Sequence, residues 1–312
     1  LDTKIIFGLD NEFDRAKFQK DWPTNYLESD EAIYSQYLDF QFRPSEKLYS
    51  TFGLRRDDHT TAGAYNTGRI TLAYKLDADS KIRSSYGTGL RYPTLYDYFY
   101  GTVVTKKEDL KPEQSKSFDI GFETNFDKIN TDLILSFYKI EYEDALEGWQ
   151  SNSWKIKNTS AKIESEGIEL EALYRKSKDF NISLYYNYND THDGADCDDP
   201  NVGSGSCIDE AMVRVPRHAL STIMTFKNDE NLINILSLNY SGEVRDYGNA
   251  NNGFKDVILD DHLTFGYKMN YNLNNNYNIY FNIDNIFDQN YEKAFMYSGM
   301  GRAMHVGIKK NY

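Results

Sequence analysis

An all-β antiparallel transmembrane β-barrel is the fold class this sequence predicts, on three observations. Apolar and polar residues alternate with a period of two in stretch after stretch. The connections between those stretches alternate between short turns and long loops. The last stretch is amphipathic and ends in the aromatic Tyr312, as bacterial outer-membrane barrels finish. A barrel strand shows only every second residue to lipid, so overall hydropathy stays low. No apolar run reaches the length of about 18 residues that a transmembrane helix needs, which excludes that alternative.

About 14 segments carry the alternation. They lie near 4–10, 31–43, 47–56, 65–76, 80–88, 115–126, 131–141, 166–176, 180–190, 217–227, 232–242, 257–271, 276–285 and 302–312. In the sixth, Phe118, Ile120, Phe122 and Phe126 alternate with Asp119, Gly121, Glu123 and Asn125. In the eighth, Ile168, Leu170, Ala172 and Tyr174 alternate with Glu169, Glu171, Leu173 and Arg175. The ninth sets Ile182, Leu184, Tyr186 and Tyr188 against Ser183, Tyr185 and Asn187. The thirteenth sets Tyr277, Ile279, Phe281 and Ile283 against Asn278, Tyr280, Asn282 and Asp284. Period two over this length is a strand signal, and strands of about 9–11 residues cross a bilayer at a tilt. Short turns fall near 43–46, 76–80, 127–130, 176–179, 228–231 and 272–275, and long loops at 11–30, 57–64, 89–114, 142–165, 191–216, 243–256 and 286–301. Short periplasmic turns alternating with long extracellular loops are the outer-membrane plan, and a soluble sandwich has no reason to sort its loops this way. The parity places Tyr312 on the periplasmic side.

Composition agrees. Aromatic residues make up 15% of the chain and 26 of its 312 residues are Tyr, which suits interfacial girdles better than a Tyr-rich extracellular sandwich. A net charge of -13 argues against a nucleic-acid partner. Cys197 and Cys207 share one loop rich in Asp and Gly, a spacing that suits a local disulfide in an oxidising compartment. Only His192 lies near them, which disfavours zinc. The chain opens at Leu1, almost directly in a strand, and reads as a piece of a longer precursor.

Several stretches resemble one family. Tyr86-Gly-Thr-Gly-Leu-Arg-Tyr-Pro-Thr-Leu95 and Leu110-Lys-Pro-Glu-Gln-Ser115 look like the two sides of a loop in TonB-dependent outer-membrane receptors. Glu166-Gly-Ile-Glu-Leu-Glu171 resembles the strand start that follows, and Asp284-Asn-Ile-Phe-Asp-Gln-Asn-Tyr-Glu292 their penultimate-strand motif. The set runs through residues 80–312 in the family's order. Pro93 and Pro112 flank the loop and stop ladder continuation. Gly87, Gly89 and Gly121 allow close backbone approach. These positions read as barrel-building rather than catalytic.

The resemblance implies energy-coupled uptake through a barrel of about 22 strands that an N-terminal globular plug fills, with a motif before the plug engaging the TonB complex. Neither plug nor TonB motif is in this sequence, so residues 1–312 read as the C-terminal portion of the barrel domain. The pattern Tyr291…Tyr297…Gly301-Arg302 in a brief last loop, and Tyr240-Ser-Gly-Glu-Val-Arg-Asp-Tyr247 followed by Leu259-Asp-Asp-His-Leu263, are similar to the cobalamin (vitamin B12) receptors of that family. The expected function is therefore TonB-dependent active transport of cobalamin into the periplasm. A ferric-siderophore receptor is one alternative. A passive 14-stranded porin-like channel is another, since an even strand number closes.

By motif, Arg214 in Arg214-Val-Pro-Arg-His218 corresponds to a rim arginine of the cobalamin receptors and Tyr247 to a rim tyrosine. A guanidinium bonds amide and phosphate groups, and a Tyr ring adds apolar contact and a hydroxyl. The plain alternatives are an ion pair of Arg214 with Asp209 or Glu210, and a girdle role for Tyr247. Such receptors can use calcium to order extracellular loops. The Asp-rich stretch from Asp190 to Asp209 has hard ligands for it but no EF-hand spacing, so a solvated acidic loop is the expectation. Trp149 and Trp154 are candidate loop aromatics. His59, His192, His218, His262 and His305 are scattered, and no nucleophile–base spacing or phosphate loop appears, so no enzyme is expected.

Overall fold

The computed structural model describes residues 2–21, 25–99, 109–147, 156–158, 162–194, 209–248, 256–274 and 276–310. Fourteen strands run side by side in one antiparallel sheet, each hydrogen-bonded to the next, and the two-residue strand Asp209–Glu210 also pairs with the end of Phe180–Gly194. They are β1 (Asp2–Asp21), β2 (Asn25–Arg43), β3 (Leu48–His59), β4 (Gly63–Lys75), β5 (Ser80–Arg91), β6 (Glu113–Phe126), β7 (Thr131–Glu143), β8 (Ile163–Ser177), β9 (Phe180–Gly194), β10 (His218–Lys227), β11 (Leu232–Ser241), β12 (His262–Asn274), β13 (Tyr277–Asp284) and β14 (Ala303–Lys310). Each of the fourteen expected segments contributes a strand to this sheet, but the one expected at 257–271 is broken: Val257–Leu259 pairs outside the sheet and β12 starts only at His262. Among the described residues no helix is long and apolar enough to cross a membrane.

Period-two alternation becomes two chemically different walls. Register puts Ile5, Phe40, Phe52, Ile70, Tyr86 and Phe118 in one cross-strand line over β1–β6. A second line runs Ile120, Phe137, Ile168, Tyr188 over β6–β9. All of these side chains but the half-buried Tyr188 stand exposed on an apolar surface, the face that lipid covers in a membrane barrel. The opposite wall is polar. Arg83 on β5 bonds Glu123 (2.8 Å), Ser136 (3.0 Å) and Asp119 (3.4 Å), and Lys81 bonds Glu123 at 2.7 Å. Arg55 on β3 reaches Asp57 (2.8 Å), Ser35 (2.7 Å) and Asp10 (3.1 Å). Gly121 makes room for the first network: a Cβ there would sit 3.1 Å from both Arg83 Nε and Ser136 Oγ. Gly89 is equally crowded, 2.7 Å from Ser115 Oγ, whereas Gly87 has only ordinary contacts at 3.5 Å.

Two expected long loops are not loops. Residues 11–21 and 25–30 extend β1 and β2 into a paired ribbon with register down to Asp21 opposite Asn25. Its polar residues hid it, because a ribbon standing clear of lipid needs no apolar face; Arg15 and Glu28 pair across it. Residues 57–64 are the ends of β3 and β4 joined by a tight turn at 60–62. Gly63 takes a positive φ of 85° there, and the His59 ring Nδ1 accepts the N–H groups of Thr61 (3.1 Å) and Ala62 (3.0 Å). The other five long connections fall on that same rim, as their parity requires. Among the described residues β1 and β14 each pair on one side only, so the sheet has two edges.

Candidate ligand-binding rim

The long-loop rim divides into two halves built by different forces. In the first half, the connection after β5 turns in at the fully buried Pro93 and starts a short helix α1 (Leu95–Phe99). Thr94 and Asp97 cap each other: Thr94 N donates to Asp97 Oδ2 at 2.7 Å and Asp97 N to Thr94 Oγ1 at 3.3 Å. Leu95, Tyr98 and Leu110 then bury against Ile156, Leu146, Ala16 and Phe18. This cluster seats two loops on the β1–β2 ribbon. Pro112 is also fully buried, at the loop's return to β6. Tyr92 stacks on the buried His59 at 4.6 Å, and burial, with Asp57 nearby, pushes its phenol up to about 12.

The second half is polar. The connection from β11 to β12 folds into a pair of short strands, Val244–Asp246 against Val257–Leu259. Asp246 has no exposed surface. Its carboxylate accepts the Phe295 N–H at 2.6 Å, the Tyr247 N–H at 2.8 Å and Arg214 Nε at 2.8 Å. Burial alone would raise the pKa of this carboxyl. The two backbone donors and the Arg214 guanidinium outweigh it and hold Asp246 below the usual carboxylate range. Arg214 sits at a positive φ of 62° and donates its own N–H to Arg245 O at 2.8 Å. Arg245 ties the same loops again, through Asp256 (2.8 Å) and the Ala211 carbonyl (2.5 Å).

The last loop is held by the Asp284-Asn-Ile-Phe-Asp motif. Asn285, with φ 48°, donates to the carbonyls of Gln289 (2.8 Å) and Met300 (3.1 Å) and accepts the Gln289 N–H (2.9 Å). Asp288 accepts the Arg302 N–H at 2.7 Å. The motif is thus a loop-closing scaffold, in keeping with the barrel-building reading. Tyr291 stacks on His262 at 4.2 Å, beside a cleft lined by Ile258, Asp260, Asp261, Glu292 and Ser298.

Arg214 and Tyr247, singled out from different loops, come together here on either side of Asp246. Arg214 pairs with Asp246; the side chains of Asp209 and Glu210, the two partners expected for it, lie outside the described residues. Tyr247 is 58% exposed. Asp246 itself was missed, because nothing in Glu243-Val-Arg-Asp-Tyr247 marks the Asp as the buried member. Cys197, Cys207, Trp149, Trp154 and most of the acidic loop lie outside the described residues; Asp190 is within them and pairs with Arg217 at 2.5 Å. Among the described residues no group of three or more His, Cys, Asp or Glu side chains could hold a metal ion.

Comparison with known proteins fits this architecture. A vitamin B12 transporter, BtuB, of Vibrio vulnificus is 24% identical over 99% of this chain and 46% of its own length. The B12 transporter BtuB of Photobacterium profundum is 23% identical over 90% of the chain and 43% of its own length. The chain therefore spans about half the length of the curated relatives it matches. Among solved structures, the siderophore receptor PirA of Acinetobacter baumannii superposes with a TM-score of 0.80 at 16% identity, over 99% of this chain and 52% of that one. The ferripyoverdine receptor of the Pseudomonas aeruginosa outer membrane gives 0.77 at 14% identity, over 99% and 46%. At such identities the structural likeness is one of fold. The family model "TonB dependent receptor-like, beta-barrel" matches residues 5–286, so the chain belongs to the TonB-dependent outer-membrane receptors, a family of receptors and transporters rather than enzymes.

Proposed function

We propose that this chain is the C-terminal barrel portion of an outer-membrane transporter that carries cobalamin into the periplasm, driven by the TonB complex through a region outside this sequence. The observation that carries the reading is the rim pair. Arg214 is held by its Nε on Asp246 while its side chain stays 55% exposed, and the same carboxylate oxygen accepts the backbone N–H of the exposed Tyr247. Arg214 would donate to amide and phosphate oxygens of the corrinoid, and Tyr247 would supply apolar contact and a hydroxyl. The curated relatives named above are B12 transporters, which supports the same ligand.

The second reading, a ferric-siderophore receptor, is favoured by the neighbours in fold. A self-closed channel of fourteen strands is disfavoured by the two open edges of the described sheet. The test uses the full-length receptor that contains this chain, refolded in detergent, with cyanocobalamin and a panel of ferric siderophores followed by intrinsic fluorescence. Cyanocobalamin should bind, and Arg214→Ala should weaken it about tenfold or more, as loss of a charged hydrogen bond does. Siderophore binding without cobalamin binding sinks the B12 reading.

A further inference from the structure

Asp246 is the most constrained charge on the rim. A carboxylate with no exposed surface is tolerated only where donors surround it. Three do, each from a different piece of chain: Arg214 after β9, Tyr247 just after the short strand Val244–Asp246, and Phe295 in the last loop. Arg214 is fixed twice by adjacent residues, its backbone N–H on Arg245 and its Nε on Asp246. With Nε engaged, the two Nη groups form the free edge of the guanidinium. Among the described residues neither Nη has a partner. That edge presents two roughly parallel N–H donors, a shape that fits two oxygens of one phosphate or of neighbouring amides.

Charge narrows the choice further. Arg214 and Asp246 together are formally neutral, and so are Arg245 and Asp256 at 2.8 Å. The nearby cleft carries the carboxylates of Asp260, Asp261 and Glu292. A multiply charged anion approaching this edge meets no net positive field, whereas a neutral carbonyl or a singly charged phosphodiester needs none.

We infer that Asp246 is a positioning and specificity-determining residue: it aims the Nη edge of Arg214 at the ligand and, by neutralising it, selects amide and phosphodiester oxygens over polyanionic groups. The inference rests on the proposed role of Arg214 at the ligand.

The experiment compares wild type, Asp246→Asn, Arg214→Ala and the double variant in the full-length receptor in detergent. Cyanocobalamin and a ferric tris-catecholate, a polyanion, are the two probes. Asp246→Asn should weaken cyanocobalamin about tenfold and strengthen the tris-catecholate in a salt-sensitive way. In the Arg214→Ala background the same change should have no further effect on either probe, a non-additivity that a merely structural role would not give. Independently of any ligand, Arg214 in Asp246→Asn should react faster with phenylglyoxal, read by peptide mass spectrometry. Additive losses, or tris-catecholate affinity that falls along with cyanocobalamin, overturn the specificity role. Failure of the wild type to bind cyanocobalamin overturns the cobalamin reading instead. In that event the phenylglyoxal arm still decides the matter, because an unchanged rate in Asp246→Asn overturns the positioning of Arg214.

Discussion

The two halves of the long-loop rim hold their loops by opposite means. Over β1–β8, Leu95, Tyr98, Leu110 and Ile156 bury apolar surface against the β1–β2 ribbon. Over β9–β14, a single buried carboxylate, Asp246, gathers three loops by hydrogen bonds. Apolar burial is non-directional and indifferent to protonation, so it fixes where a loop sits but not which atoms it presents. A buried carboxylate fixes donor directions one by one and depends on its charge. The half that carries the candidate ligand contacts is the directional one.

The largest expected effect breaks the apolar half alone. Tyr98→Ala empties a fully buried site and should destabilise the packing of that half by about 3–5 kcal/mol. Limited proteolysis should then cut within 92–112 while the peptide around Phe295 keeps its protection; loss of protection in both halves would show them to be one unit. A smaller effect separates the halves by pH. Asp246 titrates below its ordinary value of 3.8 when folded, so its contribution is complete above that value and is lost as pH falls through the depressed one. Hydrogen exchange, corrected for its intrinsic pH dependence, should speed up at Tyr247 and Phe295 on going from about pH 6 to about pH 3. The Tyr98 cluster should respond less, and only through the Asp97 cap on Thr94 and the Glu113 carboxylate that accepts the Leu146 N–H. Equal acid loosening in both halves would remove the distinction. The smallest effect lies on the ribbon beneath the apolar half. Arg15→Ala removes an exposed pair with Glu28 and should change stability by less than about 1 kcal/mol in a melting experiment. A larger loss would mean the ribbon is held by charge rather than by backbone pairing.

Much of the sheet was legible from side-chain alternation, because lipid on one face and a polar wall on the other impose the same period on every strand. Phe118, Ile120 and Phe122 announce β6 for that reason. The signal fades where the wall leaves the membrane. Nothing apolar marks Asp14, Arg15 or Lys17, so the upper β1–β2 ribbon read as a loop although its backbone pairs residue by residue from Asn11 to Gln19. The tight turn after His59 was hidden too, since it depends on the ring Nδ1 accepting two backbone donors. At the rim, Arg214 and Tyr247 were found by motif, and their placement beside one another is a product of Asp246. The burial of that residue comes from three loops meeting, which no local pattern encodes.

The sheet's pairing order has a consequence for its history. Every strand of the path pairs its backbone only with its neighbours along that path. A hairpin could therefore be duplicated or lost and leave every other register intact, with only one new pair of edges to match. The circumference of such a wall can grow in steps of two strands, while the rim above it, where distant loops share one carboxylate, must be inherited as a piece.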